Sequence, residues 1–189
     1  IKWFWKSCFS RRYSSGVNAA HQTDLNAMSK LREDEETDIS PFKCDISDNF
    51  FTDNQFNINS VNTKTFIALL ASKNPRSFIS GGKVDLAVTL KLSSSKEFHH
   101  IFPDKYLQRN GREKREIYQL ANFCFLNNAD NQKIKDKAPS EYVKFMNQQS
   151  ITDILDAALC PEDTFSISYD EFISKRKEIL TKYARELIK

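Results

Sequence analysis

Glu97-Phe98-His99-His100-Ile101-Phe102-Pro103, then Asn122-Phe123-Cys124-Phe125-Leu126, then Asn131-Gln132-Lys133, is the stretch whose reading decides the fold. Two of the three histidines in the chain are adjacent here. The aromatic and apolar segment from Asn122 to Leu126 reads as a short strand. The polar, lysine-rich residues from Asp130 to Lys137 have helical character. The order is strand, loop, strand, helix. Hydrolysing a phosphodiester needs a group that deprotonates water and a metal that holds the phosphate, a few ångströms apart. A His-His pair at a strand end offers both.

This pattern resembles the HNH, or ββα-metal (His-Me finger), nuclease motif. His99-His100-Ile101-Phe102-Pro103, Leu120-Ala121-Asn122-Phe123-Cys124-Phe125-Leu126, Asn131-Gln132-Lys133-Ile134 and Ala138-Pro139-Ser140-Glu141-Tyr142 together look like the C-terminal nuclease domain of GmrSD-like restriction proteins. Trp3-Phe4-Trp5 and Phe9-Ser10-Arg11-Arg12-Tyr13-Ser14-Ser15-Gly16 are similar to the segment that joins it to a nucleotide-sensing N-terminal domain.

The resemblance implies a role for each position. His100 is the general base and His99 a metal ligand, standing where many relatives have aspartate. Asn131, at the start of the helix, is the second ligand to one divalent ion, Mg²⁺ or Mn²⁺. A neutral imidazole in place of a carboxylate shifts the preference toward softer ions. Asn122 is the central asparagine, whose amide bridges the loop after His100 and orients the imidazole. Lys133 and Lys135 are contacts to backbone phosphate, with Lys133 the best placed to reach it or the transition state. Products carry 5′-phosphate and 3′-hydroxyl ends. An ordinary imidazole titrates near pH ~6.5, so activity is expected to fall in acid.

Plainer readings stand beside these. A lone adjacent histidine pair is more often incidental, and Asn127, Asn128 and Asn131 form the kind of cluster that marks turns. A turn accounts for Asn127 and Asn128 but not for an asparagine at the spacing of the motif from His100 and Asn122. Phe123 and Phe125 are strand core residues. The loop between the strands carries Lys105, Arg109, Arg112, Lys114 and Arg115, either a phosphate-contacting surface, with Arg109 and Arg112 as contacts, or ordinary solvated charge.

The 189 residues suffice for one substantial core or two small ones. The net charge of +3 and pI near 8.6 are too mild to establish nucleic-acid binding. Acids dominate Glu33 to Asp53 and would face away from DNA. No run approaches the ~20 apolar residues of a membrane span. Cys8, Cys44, Cys124 and Cys160 form no C-x-x-C pair, which points to reduced thiols and a cytoplasmic setting rather than a zinc ribbon or a disulfide framework. The chain opens at Ile1 without an apolar leader and reads as part of a longer polypeptide.

Helices are expected over Trp3–Phe9, Ala19–Glu35, Thr63–Ser72, from Ser140 through Met146, Ile151–Leu159 and Tyr169–Ile188. Phe66, Leu69 and Leu70 form one stripe, and Phe172, Ile173, Ile179, Leu180, Tyr183 and Leu187 another. His21 reads as a surface or packing residue, and Gly81-Gly82 as a turn. The fold class is α+β, predominantly helical, with a ββα-metal hairpin and helix set in a helical scaffold. Residues 1–82 form a helical linker or scaffold, 83–150 the nuclease core and 151–189 C-terminal helices packing on it. The expected function is a metal-dependent endonuclease cutting DNA, in a restriction or anti-phage protein whose upstream domain senses nucleotides or modified DNA. The alternatives are a noncatalytic nucleic-acid-binding or regulatory module and a structural helical domain.

Overall fold

A computed structural model describes residues 1–87 and 98–189. Glu97, first of the residues quoted above, lies outside them. The fold is α-rich with one two-stranded antiparallel sheet among the described residues. Packing divides the chain into two units, Ile1–Ser47 with Lys182–Lys189, and Asp48–Thr181.

The smaller unit contains α1 (Lys2–Phe9) and α2 (Val17–Arg32). Trp5, Phe9 and Ile46 are buried there. The Arg12 guanidinium grips buried Asp24 with two hydrogen bonds, of 2.8 and 2.6 Å, and lies 4.0 Å over the Phe42 ring. Tyr13 also donates to Asp24, and its ring meets His21 at 4.7 Å, so His21 is a packing residue.

The larger unit holds α3 (Phe50–Asp53), α4 (Val61–Ala71), β1 (Phe98–His100), α5 (Asp104–Arg109), α6 (Lys114–Ile117), β2 (Phe123–Phe125), α7 (Asn128–Ile134), α8 (Pro139–Tyr142) and α9 (Ile151–Ala157). The final helix, α10 (Tyr169–Leu187), runs through Thr181 in this unit and ends in the other. Ser60 caps α4 by accepting from the Thr63 amide, and Phe66, Leu69 and Leu70 are buried as their spacing predicts. The helix expected from Ser140 to Met146 is shorter. It starts one residue earlier, with the Glu141 side chain accepting from the Ala138 amide, and tightens into a 3₁₀ turn at Val143–Phe145.

The strands pair Phe98 with Phe125, His99 with Cys124 and His100 with Phe123. A pair this short is marginal alone and needs cover. Phe56 supplies it, stacking on Phe123 at 4.1 Å, while Phe98 packs on Phe125 at 4.8 Å. The core behind includes Phe78, Ile101, Phe102, Ile117, Leu126, Tyr142, Ile154 and Phe172. Gly81 (φ 72°) sits in a turn where a Cβ would come 3.2 Å from Ile154, so two constraints fall on one residue.

The buried line of α10 differs from the stripe read in the sequence. Phe172, Arg176, Leu180 and Ala184 are fully buried, while Ile173 and Ile179 are only half-buried. Arg176 has no carboxylate partner among the described residues. Its guanidinium donates instead to the carbonyls of Leu159 (3.3 Å), Ala121 (2.7 Å) and Ala158 (2.8 Å). Two of these follow the C-terminus of α9, where a cation is favoured, and the third precedes Asn122. One buried charge thereby ties α10, α9 and the segment before β2 together.

Replacing Arg176 with Met leaves the Leu159 and Ala121 carbonyls without a donor and Ala158 O with only the weak Cys160 thiol, and should lower unfolding free energy in urea by about 3–5 kcal/mol. A loss below about 1 kcal/mol would show that the guanidinium is dispensable.

Candidate functional site

The histidine pair ends β1, where the chain turns away over Ile101-Phe102-Pro103 into α5. Every peptide group in that turn that faces inward is committed. The Ile101 amide donates to Asn122 O (2.8 Å), and the Tyr142 hydroxyl donates to Ile101 O (2.7 Å). The Phe102 amide donates to Asn122 Oδ1 (3.0 Å), and Asn122 Nδ2 donates to Phe102 O (3.1 Å) and Ile117 O (3.0 Å). Asn122 is fully buried and belongs to the 3₁₀ turn before β2, not to the strand itself. Its amide bridges the loop after His100 through backbone groups. Both of its N–H donors are used, and the imidazole is held by other residues.

Those residues are aromatic. The His100 ring lies 4.2 Å from Phe123 and meets Tyr118 edge-on at 4.8 Å. The residue is half-buried, but Nε2 is enclosed and has no hydrogen-bond partner among the described residues. Burial lowers its pKa from 6.5 to about 4, against the opposing pull of Asp104, with His99 lowering it further. His100 is therefore neutral across the physiological range, well beyond what an ordinary imidazole predicts.

Adjacent strand residues normally face opposite ways. Because β1 stops at His100, both histidines nevertheless line one cavity of about 470 Å³, shared with Asp104, Lys105, Asn131 and Lys135. Asn131 reaches it from α7. That helix is fixed by Asn127, whose side chain accepts from the Asp130 amide (2.8 Å). Buried Asp130 accepts from Ser77 Oγ (2.7 Å), the Ser80 amide (3.0 Å) and Lys133 Nζ (2.8 Å). Burial alone would raise its carboxyl, but the bonds from Lys133, Ser80 and Ser77 outweigh it and bring the pKa to about 2. The Asn131 carboxamide makes no hydrogen bond among the described residues, so its oxygen stays available.

Four of the residues singled out in the sequence, His99, His100, Asn131 and Lys135, thus meet in one cavity. Asn122 stands behind it as a clamp. Lys133 is outside it, spent on Asp130. Arg109 pairs with Asp136 (2.9 Å) and lines a neighbouring opening with Lys105 and Gln108. Arg112 is bound by Glu116 (3.0 Å) and Asp170 (2.5 Å), away from the histidines. Sequence reading missed Asp104 and Tyr118. The Tyr118 hydroxyl donates to Asp104 Oδ2 (2.9 Å), which places a carboxylate on the cavity wall. The only local cue was an acid directly after Pro103, at a helix start. Lys135 (φ 50°, ψ −109°) holds a rare backbone conformation where it lines the cavity. Among the described residues, no three His, Cys, Asp or Glu side chains converge on one point.

A protein of Methanocaldococcus jannaschii described as uncharacterized is 28% identical over 183 residues, covering 95% of this chain. The chain spans 28% of the length of that relative. No protein-family profile and no solved structure matches. No helix among the described residues is long and apolar enough to cross a membrane.

The depressed His100 pKa makes folding pH-dependent. Above pH 6.5 the ring is neutral folded or unfolded, so nothing is lost. Between 6.5 and about 4 only the unfolded chain takes up the proton, and stability falls. The loss reaches about 3 kcal/mol, the difference between the two pKa values at about 1.4 kcal/mol per pH unit. Urea unfolding across this range in a chelator should reveal that component, and His100→Phe should lack it. Equal acid sensitivity in both proteins would refute the assignment.

Proposed function

We propose that this chain is a metal-dependent HNH endonuclease domain that hydrolyses DNA phosphodiester bonds, in a restriction or anti-phage protein with an upstream nucleotide-sensing domain. The observation that carries the reading is the meeting of His99, His100 and Asn131 at one cavity, on a strand-loop-strand-helix order with Asn122 clamping the loop. The upstream domain rests on the sequence resemblance alone.

The donor set suits one divalent ion. His99 and the Asn131 carboxamide would hold it, with Asp104 close by to supply the negative charge that an imidazole ligand lacks. When bound, Mg²⁺ or Mn²⁺ supplies Lewis-acid stabilisation of charge on the phosphate and the departing 3′ oxygen. His100 takes the proton from the attacking water. Its Nε2 is enclosed, so Nδ1 is the nitrogen left to meet that water. Asn122 and Tyr118 keep the ring and the loop after it in place, which costs no reorganisation during reaction. Lys135 and Lys105, both exposed and lining the cavity, attract the phosphate backbone. Lys133 is a fixed structural cation in this reading. The low basicity of His100 moves the acid fall in activity from near pH 6.5 to below about pH 5. The same low basicity favours the second reading, a module that binds nucleic acid without cutting it.

Plasmid nicking with Mg²⁺ and with Mn²⁺ separates the two. The chain should cut, and His100→Ala should cut at least about 100-fold more slowly, the usual contribution of a general base. Cleavage with neither ion, by this chain or by a longer polypeptide containing it, would leave the binding module. An undiminished His100→Ala variant would remove His100 from the chemistry.

A further inference from the structure

Phe145 is the aromatic side chain that the larger unit leaves exposed among its described residues. The turn that carries it is fixed. Tyr142 before it and Met146 after it are buried. The Met146 amide donates to Val143 O (3.1 Å), and Gln148 Nε2 donates to the carbonyls of Val143 (2.8 Å) and Met146 (3.1 Å). With its neighbours drawn inward, Phe145 stays 42% exposed on a 3₁₀ turn that cannot fold over it. Two ammonium groups flank the ring, Lys144 Nζ at 5.4 Å and Lys137 Nζ at 5.7 Å from its centroid. Both lie near the outer limit of a cation–π contact, so the lysines border the ring without sealing it. Neither has a carboxylate partner among the described residues, whereas Lys133, Arg109 and Arg112 are each spent on one. Lys137 follows Lys135 by two residues, at most about 7 Å of chain, and Lys135 lines the histidine cavity.

We propose that Phe145 is a stacking platform for one unpaired nucleobase, with Lys137 and Lys144 on the flanking phosphates, a few nucleotides along the strand from the phosphate held at the histidine cavity. The inference deepens the proposed function and rests on it for nucleic acid as the ligand. An exposed ring bordered by unspent cations is the combination that holds single strands, the ring taking the face of a base and the cations its backbone. It assigns the site a substrate class, single-stranded or locally opened nucleic acid. A base inside a duplex is already stacked on its neighbours and has no free face to offer. Every base has such a face once unpaired, so the platform adds affinity without reading sequence. The ammonium groups ride on flexible four-carbon stems, so a base lying on the ring leaves them able to swing to the phosphates beside it. The rigid turn keeps the ring presented before any strand arrives, which spares the cost of ordering it.

Fluorescence anisotropy in a chelator, with labelled oligo-deoxythymidine, an abasic strand of the same length and a duplex, tests the platform. The unsubstituted chain should bind oligo-deoxythymidine about tenfold tighter than the abasic strand. Phe145→Ala, at an exposed position, should remove that advantage and leave abasic and duplex binding unchanged, while Phe145→Trp should keep it. Lys137→Gln and Lys144→Gln should each flatten the dependence of log affinity on log salt by about 0.7. Equal binding of the two strands, an advantage that survives Phe145→Ala, an equal loss of duplex binding in that variant or unaltered salt slopes in both lysine variants would overturn the proposal. So would tighter Phe145-dependent binding of a glutamate–tyrosine copolymer than of the oligonucleotide, which would give the surface to an acidic protein partner. Binding in a chelator is independent of cutting. A Phe145-dependent advantage in a chain that never nicks plasmid would uphold the platform and sink the nuclease reading, whereas nicking by a chain that binds both strands equally would sink the platform alone.

Discussion

The side-chain amide of Asn122 is the constraint on which the larger unit depends. A loop of more than twenty residues separates the paired strands, and its entry and exit must be held together if three-residue strands are to stay in register. Asn122 does this with three hydrogen bonds, two to Phe102 and one to Ile117, where neither water nor another donor reaches. A fully buried carboxamide is tolerable only when its groups are satisfied, and satisfied it specifies one loop path. Arg176 reinforces it from the other side by fixing the Ala121 carbonyl.

The consequences run outward to the cavity. With the turn after His100 pinned by Asn122 and Tyr142, the imidazole is left against Phe123 and Tyr118 in surroundings too dry to charge it. Asn131 arrives on an independently fixed helix, because Asp130 anchors α7 to Ser77 and Ser80. Two rigid supports thus converge on one opening, which is what a site that positions a phosphate requires.

Much of this was legible in the sequence where side-chain periodicity is strong. Phe66, Leu69 and Leu70 announced the buried face of α4, and the unbroken aromatic and apolar run around Phe123-Cys124-Phe125 announced β2, buried along its length. The limits are equally physical. The line buried along α10 was misjudged because Arg176 reads as a surface residue, and only the carbonyls of Leu159, Ala158 and Ala121, distant in sequence, make its burial tolerable. The helices α5 and α6 were unread, since segments of six and four residues carry too little periodicity to distinguish from charged loop. Lys133 looked better placed than Lys135 to contact phosphate, and the structure reverses that order. Their difference depends on Asp130 being buried by Ser77 and Ser80, about fifty residues upstream, which no local pattern encodes.

Amide hydrogen exchange at Phe102 tests the clamp most directly. Its N–H donates to Asn122 Oδ1 inside the core, so the account predicts exchange only through global unfolding, and Asn122→Ala should accelerate it together with the β1–β2 amides whose register the clamp holds. Rapid exchange at Phe102 in the unsubstituted protein, while its strand and core amides remain protected, would contradict the claim that this amide holds the loop.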